Sequence, residues 1–222
     1  VGCKVPGALT ALRGTRVERF SAGWYHAAYF TEDDGPFMFG YNKYGQCCQD
    51  RHFSRIPTPT LVEGFAKDPV RWVSCGAFTT YFSTEGDQVW ACGSNTHGQL
   101  GVRNAPYRTE EPVHITELQG KRVARIDCGF DHCFATCKNG TVYCWGGNGY
   151  GQLGLDEHWH DVEEPVKHRE MTKKQIANIA CGGNHTFVLY KGGLVWGCGR
   201  NDFGQLGLGH REHLNYLVDV TI

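Results

Sequence analysis

Apolar residues in this chain come in short runs cut off by turn residues, without a helical rhythm. In one stretch Val70–Gly76 (VRWVSCG) is an apolar run ending in Gly, and Thr80–Ser83 (TYFS) is the next. Glu85, Gly86 and Asp87 give a turn signal, and Val89–Gly93 (VWACG) makes a third run. A Gly-rich loop, Ser94–Gly101 (SNTHGQLG), leads to a more polar run opened by Pro, Pro112–Leu118 (PVHITEL). The runs are too short for helices and rich in β-branched and aromatic residues, so each predicts a strand. Pro cannot donate to a ladder, so the run it opens suits a sheet edge. Together the four predict one antiparallel sheet.

The pattern returns with a fixed period. Gly40, Gly93, Gly146 and Gly199 are each 53 residues apart. The same step links Asn42, Asn95, Asn148 and Asn201, then Gly45, Gly98, Gly151 and Gly204, then Gln46, Gln99, Gln152 and Gln205. It also links Gly23, Gly76, Gly129 and Gly182, and Pro6, Pro59, Pro112 and Pro165. A four-stranded unit recurring at about 40–50 residues is the mark of a propeller blade. The expected fold is all-β, a β-propeller with four four-stranded blades. Its repeats fall at about 13–65, 66–118, 119–171 and 172–222, and residues 1–12 form the tail of a preceding repeat. Pro6 opens the last strand of that preceding repeat, and Val218, four periods on, lies in the closing strand of the fourth. The expectation is therefore part of a larger ring, which further blades or a second chain would complete.

A residue needed in every blade is architecture. The glycines supply positive φ in tight turns and let backbones approach near the axis. The Asn column is expected to cap its loop by side-chain-to-backbone hydrogen bonds, and the Gln column to bridge adjacent blades in the same way. His26, His132 and His185 read as hydrogen-bonding core residues. The first repeat departs from the rest: Cys47-Cys48 stands where the others have Leu100-Gly101, Leu153-Gly154 and Leu206-Gly207, which suggests a different local backbone.

The segments FGYNKYGQ, CGSNTHGQLG, WGGNGYGQLG and CGRNDFGQLG, preceded by GWYHA, GAFTT, GFDHC and GGNHT, resemble the regulator of chromosome condensation repeat family. The resemblance implies a propeller of that type, with about seven blades in the complete ring. It leaves function open, since one fold hosts many activities. Exchange factors of the family act on the small GTPase Ran through a wedge-like insertion, for which the constant step of 53 leaves no room. Light-sensing relatives use Trp clusters recurring across blades beside Arg. Here Trp24 is the one Trp in that column and no Arg accompanies it.

The resemblance also places partner-facing positions, on the loops after the Gly column and around the Asn-x-x-Gly turn. Carried over residue by residue they are Trp24, Tyr25, Lys43, Tyr44, Phe78, His97, Phe130, Asp131, Tyr150, Asn184, Asp202 and Phe203. These vary between repeats while the frame does not, as a partner-facing surface would. Trp159, inside the charged loop segment DEHWHD, adds an exposed aromatic of the kind that anchors interfaces.

Composition narrows the choice. The 22 Lys and Arg against 23 Asp and Glu give a net charge of −1, which carries no footprint for nucleic acid. No apolar run is long enough to span a membrane. Eleven cysteines without a recognisable signal peptide favour a reducing, intracellular compartment, cytoplasmic or nuclear, with buried free thiols. No CxxC pair, P-loop, HExxH or nucleophile elbow is present, so no metal, cofactor or catalytic residue is expected. The expected role is a non-catalytic scaffold that binds a protein partner through one propeller face. A guanine nucleotide exchange factor or regulator for a Ran-like small GTPase is the alternative, and a structural subunit of a larger assembly is the third.

Overall fold

A computed structural model describes residues 16–220 except 32, 33, 51, 157, 158, 173 and 174, together with residues 12 and 14. Pro6, residues 1–11 of the expected tail, and Glu157 and His158 of the DEHWHD segment fall outside the described residues.

Among the described residues sixteen strands form four separate four-stranded antiparallel sheets. Blade 1 holds β1 (Val17–Ala22), β2 (His26–Thr31), β3 (Gly35–Tyr41) and β4 (Arg55–Leu61). Blade 2 holds β5 (Val70–Cys75), β6 (Thr79–Thr84), β7 (Val89–Ser94) and β8 (Arg108–His114). Blade 3 holds β9 (Val123–Cys128), β10 (His132–Cys137), β11 (Val142–Gly146) and β12 (Val162–Lys167). Blade 4 holds β13 (Ile176–Cys181), β14 (His185–Tyr190), β15 (Val195–Gly199) and β16 (Leu214–Asp219). Within each blade every strand pairs with its sequence neighbour: short turns join the first three strands, and the long Gly-rich loop returns the fourth beside the third. The first strands of successive blades lie side by side: Ser74 Oγ donates to Ile126 O (2.9 Å) and Cys75 N–H to Ser21 Oγ (2.9 Å).

The core lies at the blade junctions. Ala28, Met38 and Ile56 of blade 1 meet Val73, Phe82 and Cys92 of blade 2. Tyr81 and Leu100 meet Ile126 and Trp145, and Leu153 meets Val188 and Cys198. Leu100 and Leu153 of the GQLG turns plug the second and third junctions and are fully buried. Truncating such a side chain to Ala typically costs about 2–5 kcal/mol.

The outermost strand differs from the sequence expectation. It runs Arg108–His114 in blade 2, with Pro112 inside it, and Thr116–Leu118 forms a short 3-10 turn instead. The reason lies in the register. β7 and β8 pair at Ala91↔Val113 and at Gly93↔Thr109 with an irregularity between, and Pro112 falls in that gap, where no ladder N–H is required. Pro59 and Pro165 sit in the matching gaps of blades 1 and 3.

The repeated polar residues latch the blades. The Asn side chains act within their own loops, as expected: Oδ1 of Asn42, Asn95, Asn148 and Asn201 accepts the N–H five residues on, at 2.9–3.0 Å. The Gln expectation needs correction. Each Gln Oε1 accepts the N–H two residues before it (Tyr44, His97, Tyr150 and Phe203, 2.7–3.0 Å), so the side chain closes its own turn. The Gln backbone carbonyl makes the bridge. Gln46 O accepts Thr80 Oγ1–H (2.8 Å) and Gln152 O accepts Thr186 Oγ1–H (2.7 Å), both from the next blade. The same hydroxyls lie 2.9 Å from His26 Nε2 and His132 Nε2. A hydroxyl that donates to a carbonyl accepts from its other neighbour, so each imidazole is the Nε2–H tautomer. Burial holds both rings neutral, with pKa lowered to about 4 in His26 and about 3 in His132.

Two further expectations change. Cys48 keeps the turn of its glycine counterparts: φ is 49° there against 70°, 63° and 71° at Gly101, Gly154 and Gly207. The free-thiol expectation also has an exception, because Cys48 and Cys92 are joined in a disulfide.

Candidate functional site

The turns between the first and second strands of each blade emerge on one face. Close backbone approach fixes them there. Trp24 N–H donates to Ala77 O (3.3 Å) and Phe130 N–H to Gly183 O (3.0 Å), each reaching the next blade's turn. The preceding glycines leave no room for a side chain: a Cβ on Gly129 would stand 2.2 Å from His132 Cε1 and 2.5 Å from Gly182 O.

This packing gathers aromatic side chains from three blades. Trp24 contacts Phe130 (centroids 4.8 Å) and Phe78 (5.6 Å), and Phe78 contacts Phe130 (5.5 Å), all edge-to-face. Tyr25 lies 5.3 Å from Trp24, and Tyr44 5.1 Å from Phe78. Tyr41 joins them at 6.2 Å from Tyr44 and 6.3 Å from Phe78. Trp24 and Tyr25 are 58% and 62% exposed, and the other four rings are half-buried beneath them. Six contiguous rings with two standing in water make an apolar patch unusual for an isolated surface.

A polar arm extends over blades 2 and 3. His97 Nδ1 lies 2.8 Å from Asp161 Oδ2, and its Nε2 3.9 Å from Asp131 Oδ2. Gln152 Nε2 donates to Asp131 Oδ1 (3.3 Å). Burial raises the Asp131 carboxyl above its ordinary range, while nearby His97 draws it back. A third group lies where blades 3 and 4 meet. Arg200 grips Asp202 through three contacts of 2.7–3.1 Å and lies over Tyr150 (5.0 Å) and Phe203 (5.7 Å). Arg200 holds the Asp202 carboxyl below its ordinary range.

Of the residues carried over from the family pattern, Trp24, Tyr25, Tyr44, Phe78 and Phe130 come together in the ring cluster. His97 and Asp131 form the polar arm, and Tyr150 of blade 3 joins Asp202 and Phe203 of blade 4 around Arg200. Lys43 is exposed beside Tyr44, and its carbonyl accepts from Arg108 Nη1 (3.3 Å). Asn184 is half-buried, and its carbonyl accepts the Arg200 N–H (2.7 Å). Trp159 is 43% exposed in the long loop of blade 3 and joins none of these ring contacts among the described residues. Tyr41, Asp161 and Arg200 were missed. Tyr41 and Arg200 directly precede the Asn-x-x-Gly turns and Asp161 closes the charged loop segment DEHWHD, so only the fold connects them to the face. Phe78 matches Tyr25 and Asp131 in its repeat, one step after the Trp24 column, yet its ring fills the space between Trp24 and Phe130.

A hollow of about 570 Å³ beside Tyr25, Tyr41 and Tyr44 is floored by Gly40, Ile56 and Pro57. The equivalent strand starts in later blades receive Gly45, Gly98 and Gly151 of the blade before, so this floor is blade-packing surface. Among the described residues no group of His, Cys, Asp and Glu could hold a metal ion, and no helix is long and apolar enough to cross a membrane.

The family model described as "Regulator of chromosome condensation (RCC1) repeat" matches residues 33–82, 86–136 and 139–189. A second model of that description matches 70–99, 123–152 and 176–205. The chain is 32% identical over 207 residues to the human "Probable E3 ubiquitin-protein ligase HERC4", covering 93% of this chain and 19% of that protein. It is 32% identical over 209 residues to human "E3 ubiquitin-protein ligase HERC2", of which it covers 4%. The chain thus spans a fifth or less of these relatives. Among solved structures, human WBSCR16 superposes with a TM-score of 0.78 at 26% identity, over 92% of this chain and 52% of that one. Yeast RCC1 (Prp20), solved bound to Kap60, superposes with a TM-score of 0.83 at 16% identity, over 98% of this chain and 50% of that one.

Proposed function

Because this chain belongs to the regulator of chromosome condensation (RCC1) repeat family, we propose that it is a non-catalytic binding module that holds a protein partner on its aromatic face. The observation that carries the reading is the six-ring cluster spanning three blades, with Trp24 and Tyr25 more than half exposed. Buried aromatic anchors in well-packed interfaces are typically worth about 2–4 kcal/mol each. The polar arm would orient the partner, since His97, Asp131 and Asp161 sit at the edge of the rings. The ubiquitin ligases it resembles share the repeats over a small part of their length, which supports a recognition role within a longer protein.

The test is recovery of partners by cross-linking to the wild-type chain, followed by affinity measurement with Trp24→Ala, Phe78→Ala and Trp159→Ala. Loss of about 2 kcal/mol for the first two with little change for the third supports the face. Wild-type affinity in Trp24→Ala and Phe78→Ala for every partner recovered sinks it.

A further inference from the structure

At each blade junction the last residue of the GQLG-type turn faces a residue of the next blade's third strand. Gly101 faces Trp145, and a Cβ there would come within 3.0 Å of the indole nitrogen. Gly154 faces Cys198, with a Cβ 3.1 Å from its sulfur. At the first junction the same pair of positions holds Cys48 and Cys92, joined as a disulfide with Cα atoms 6.3 Å apart. Of the three junctions, only this one has sulfur on both sides. Cys48 also adopts a left-handed backbone (φ 49°) that disfavours any residue bearing a Cβ. Cys92 is fully buried while Cys48 is half-buried, so a reagent from solution reaches the bond from the Cys48 side.

We infer that Cys48 and Cys92 are a reversible thiol–disulfide modification site that clamps blade 1 to blade 2 under the aromatic face and so tunes partner binding. The binding clause rests on the function proposed above. The co-reactant is a low-molecular-weight disulfide. The Cys48 thiolate attacks it, breaking its S–S bond, releasing one thiol and leaving a mixed disulfide on Cys48. The Cys92 thiolate then attacks the Cys48 sulfur, forms the internal bond and expels the second thiol. Two electrons pass from the protein to the reagent, and the two protein protons end on the two released thiols. A thiol reductant reverses the sequence by attacking Cys48. Cys47 does not compete: its sulfur is buried against Tyr41 O (3.3 Å), and burial pushes its pKa up to about 12.

The clamp lies in the turn that carries Tyr44. Cys48 N–H donates to Gly45 O (2.9 Å), and Cys47 N–H to Asn42 Oδ1 (3.0 Å). Tyr41 and Tyr44 reach across this junction to Phe78. Opening the bond removes the covalent tie and leaves Cys48 in its disfavoured backbone, held to blade 2 by packing and by the neighbouring Gln46 O–Thr80 hydrogen bond, so the turn loosens and the Tyr44 edge of the cluster loosens with it.

The test uses the whole chain equilibrated in reduced or oxidised glutathione, trapped in acid, unfolded and alkylated. Joint protection of Cys48 and Cys92 in oxidised glutathione supports the site, and joint alkylation there overturns it. Hydrogen exchange should quicken over residues 42–48 on reduction and stay constant over 95–101. Equal exchange over 42–48 in both states overturns the clamp. Cys92→Ser should show the fast exchange in either buffer. Cys48→Gly restores the residue of the other three turns, and it should melt at the same temperature in both buffers and above the reduced wild type. For a partner recovered on the aromatic face, reduction should weaken binding about tenfold, and unchanged affinity overturns the tuning. If Trp24→Ala leaves binding intact while the exchange change persists, the binding face fails and the clamp stands.

Discussion

Acidification should destabilise this propeller through two buried imidazoles, and the size of the effect follows from their relays. His26 and His132 each donate Nε2–H to a Thr of the next blade, and that hydroxyl donates to a Gln carbonyl. In both rings Nδ1 is buried without a hydrogen-bond partner, so a proton there would place a charge in the junction. Their pKa values fall from 6.5 to about 4 and about 3. The unfolded chain therefore binds more protons than the folded one below pH 6.5, and stability falls as pH drops through that window. Between pH 6.5 and 5 each imidazole contributes about 1.5 pH units at 1.36 kcal/mol per unit, roughly 2 kcal/mol. Asp127 works in the opposite sense. Burial raises its carboxyl to about 6 despite Arg125, so the folded state holds the extra proton and gains about 1 kcal/mol by pH 5. The net loss from pH 8 to 5 is roughly 3 kcal/mol, or about 6–12 °C in melting temperature for a domain of this size. Thermal melts across that range measure it. The double variant His26→Gln and His132→Gln removes both imidazoles and leaves Asp127 and the less buried His185, which act in opposite senses, so it should lose much less stability than the wild type on acidification, whatever its level at pH 8. A double variant that loses as much stability as the wild type would refute the assignment.

Three further outcomes follow from the same geometry. Gly129→Ala forces a Cβ to 2.5 Å from the Gly182 carbonyl of the next blade and should cost at least about 3 kcal/mol in urea melts, whereas Gly149→Ala meets nothing within 4 Å and should change stability by less than about 1 kcal/mol. Thr186→Val keeps the shape but leaves the His132 N–H unpaired in the core and the Gln152 carbonyl with only the weak Cys198 thiol donor (3.5 Å). It should lose about 2–4 kcal/mol, and a loss below about 1 kcal/mol would show that the relay is not the latch. Tyr44→Ala should weaken a partner held on the aromatic face by at least about tenfold while lowering the melting temperature little, because its ring crosses to Phe78 in the half-buried surface cluster and lies outside the buried core of that junction; equal affinity would remove Tyr44 from the interface.

The sequence carried the frame because the frame repeats. Leu100 and Leu153 must fill equivalent junctions, and Asn42, Asn95, Asn148 and Asn201 must close equivalent loops, so one physical need writes the same residue every 53 positions. The limits of that legibility are equally physical. Periodicity says that a residue is required without saying which of its atoms is used. The Gln column was readable as a link between blades, but its side chain turns inward to its own loop and the backbone carbonyl makes the link. Pro112 was readable as an edge residue, yet its place inside β8 depends on a register gap opposite β7 that no local signal marks. The binding face is harder still, since it is built from departures from the repeat. Trp24, Phe78 and Phe130 come from two different columns and meet only because the turns of three blades converge on one face. Cys48 makes the point most sharply. Read alone, a Cys in place of Gly predicts a changed turn. The fold instead sets opposite it the residue 44 positions on, where the other junctions place Trp145 and Cys198. The odd residue at one end of that pairing is explained by the thiol at the other.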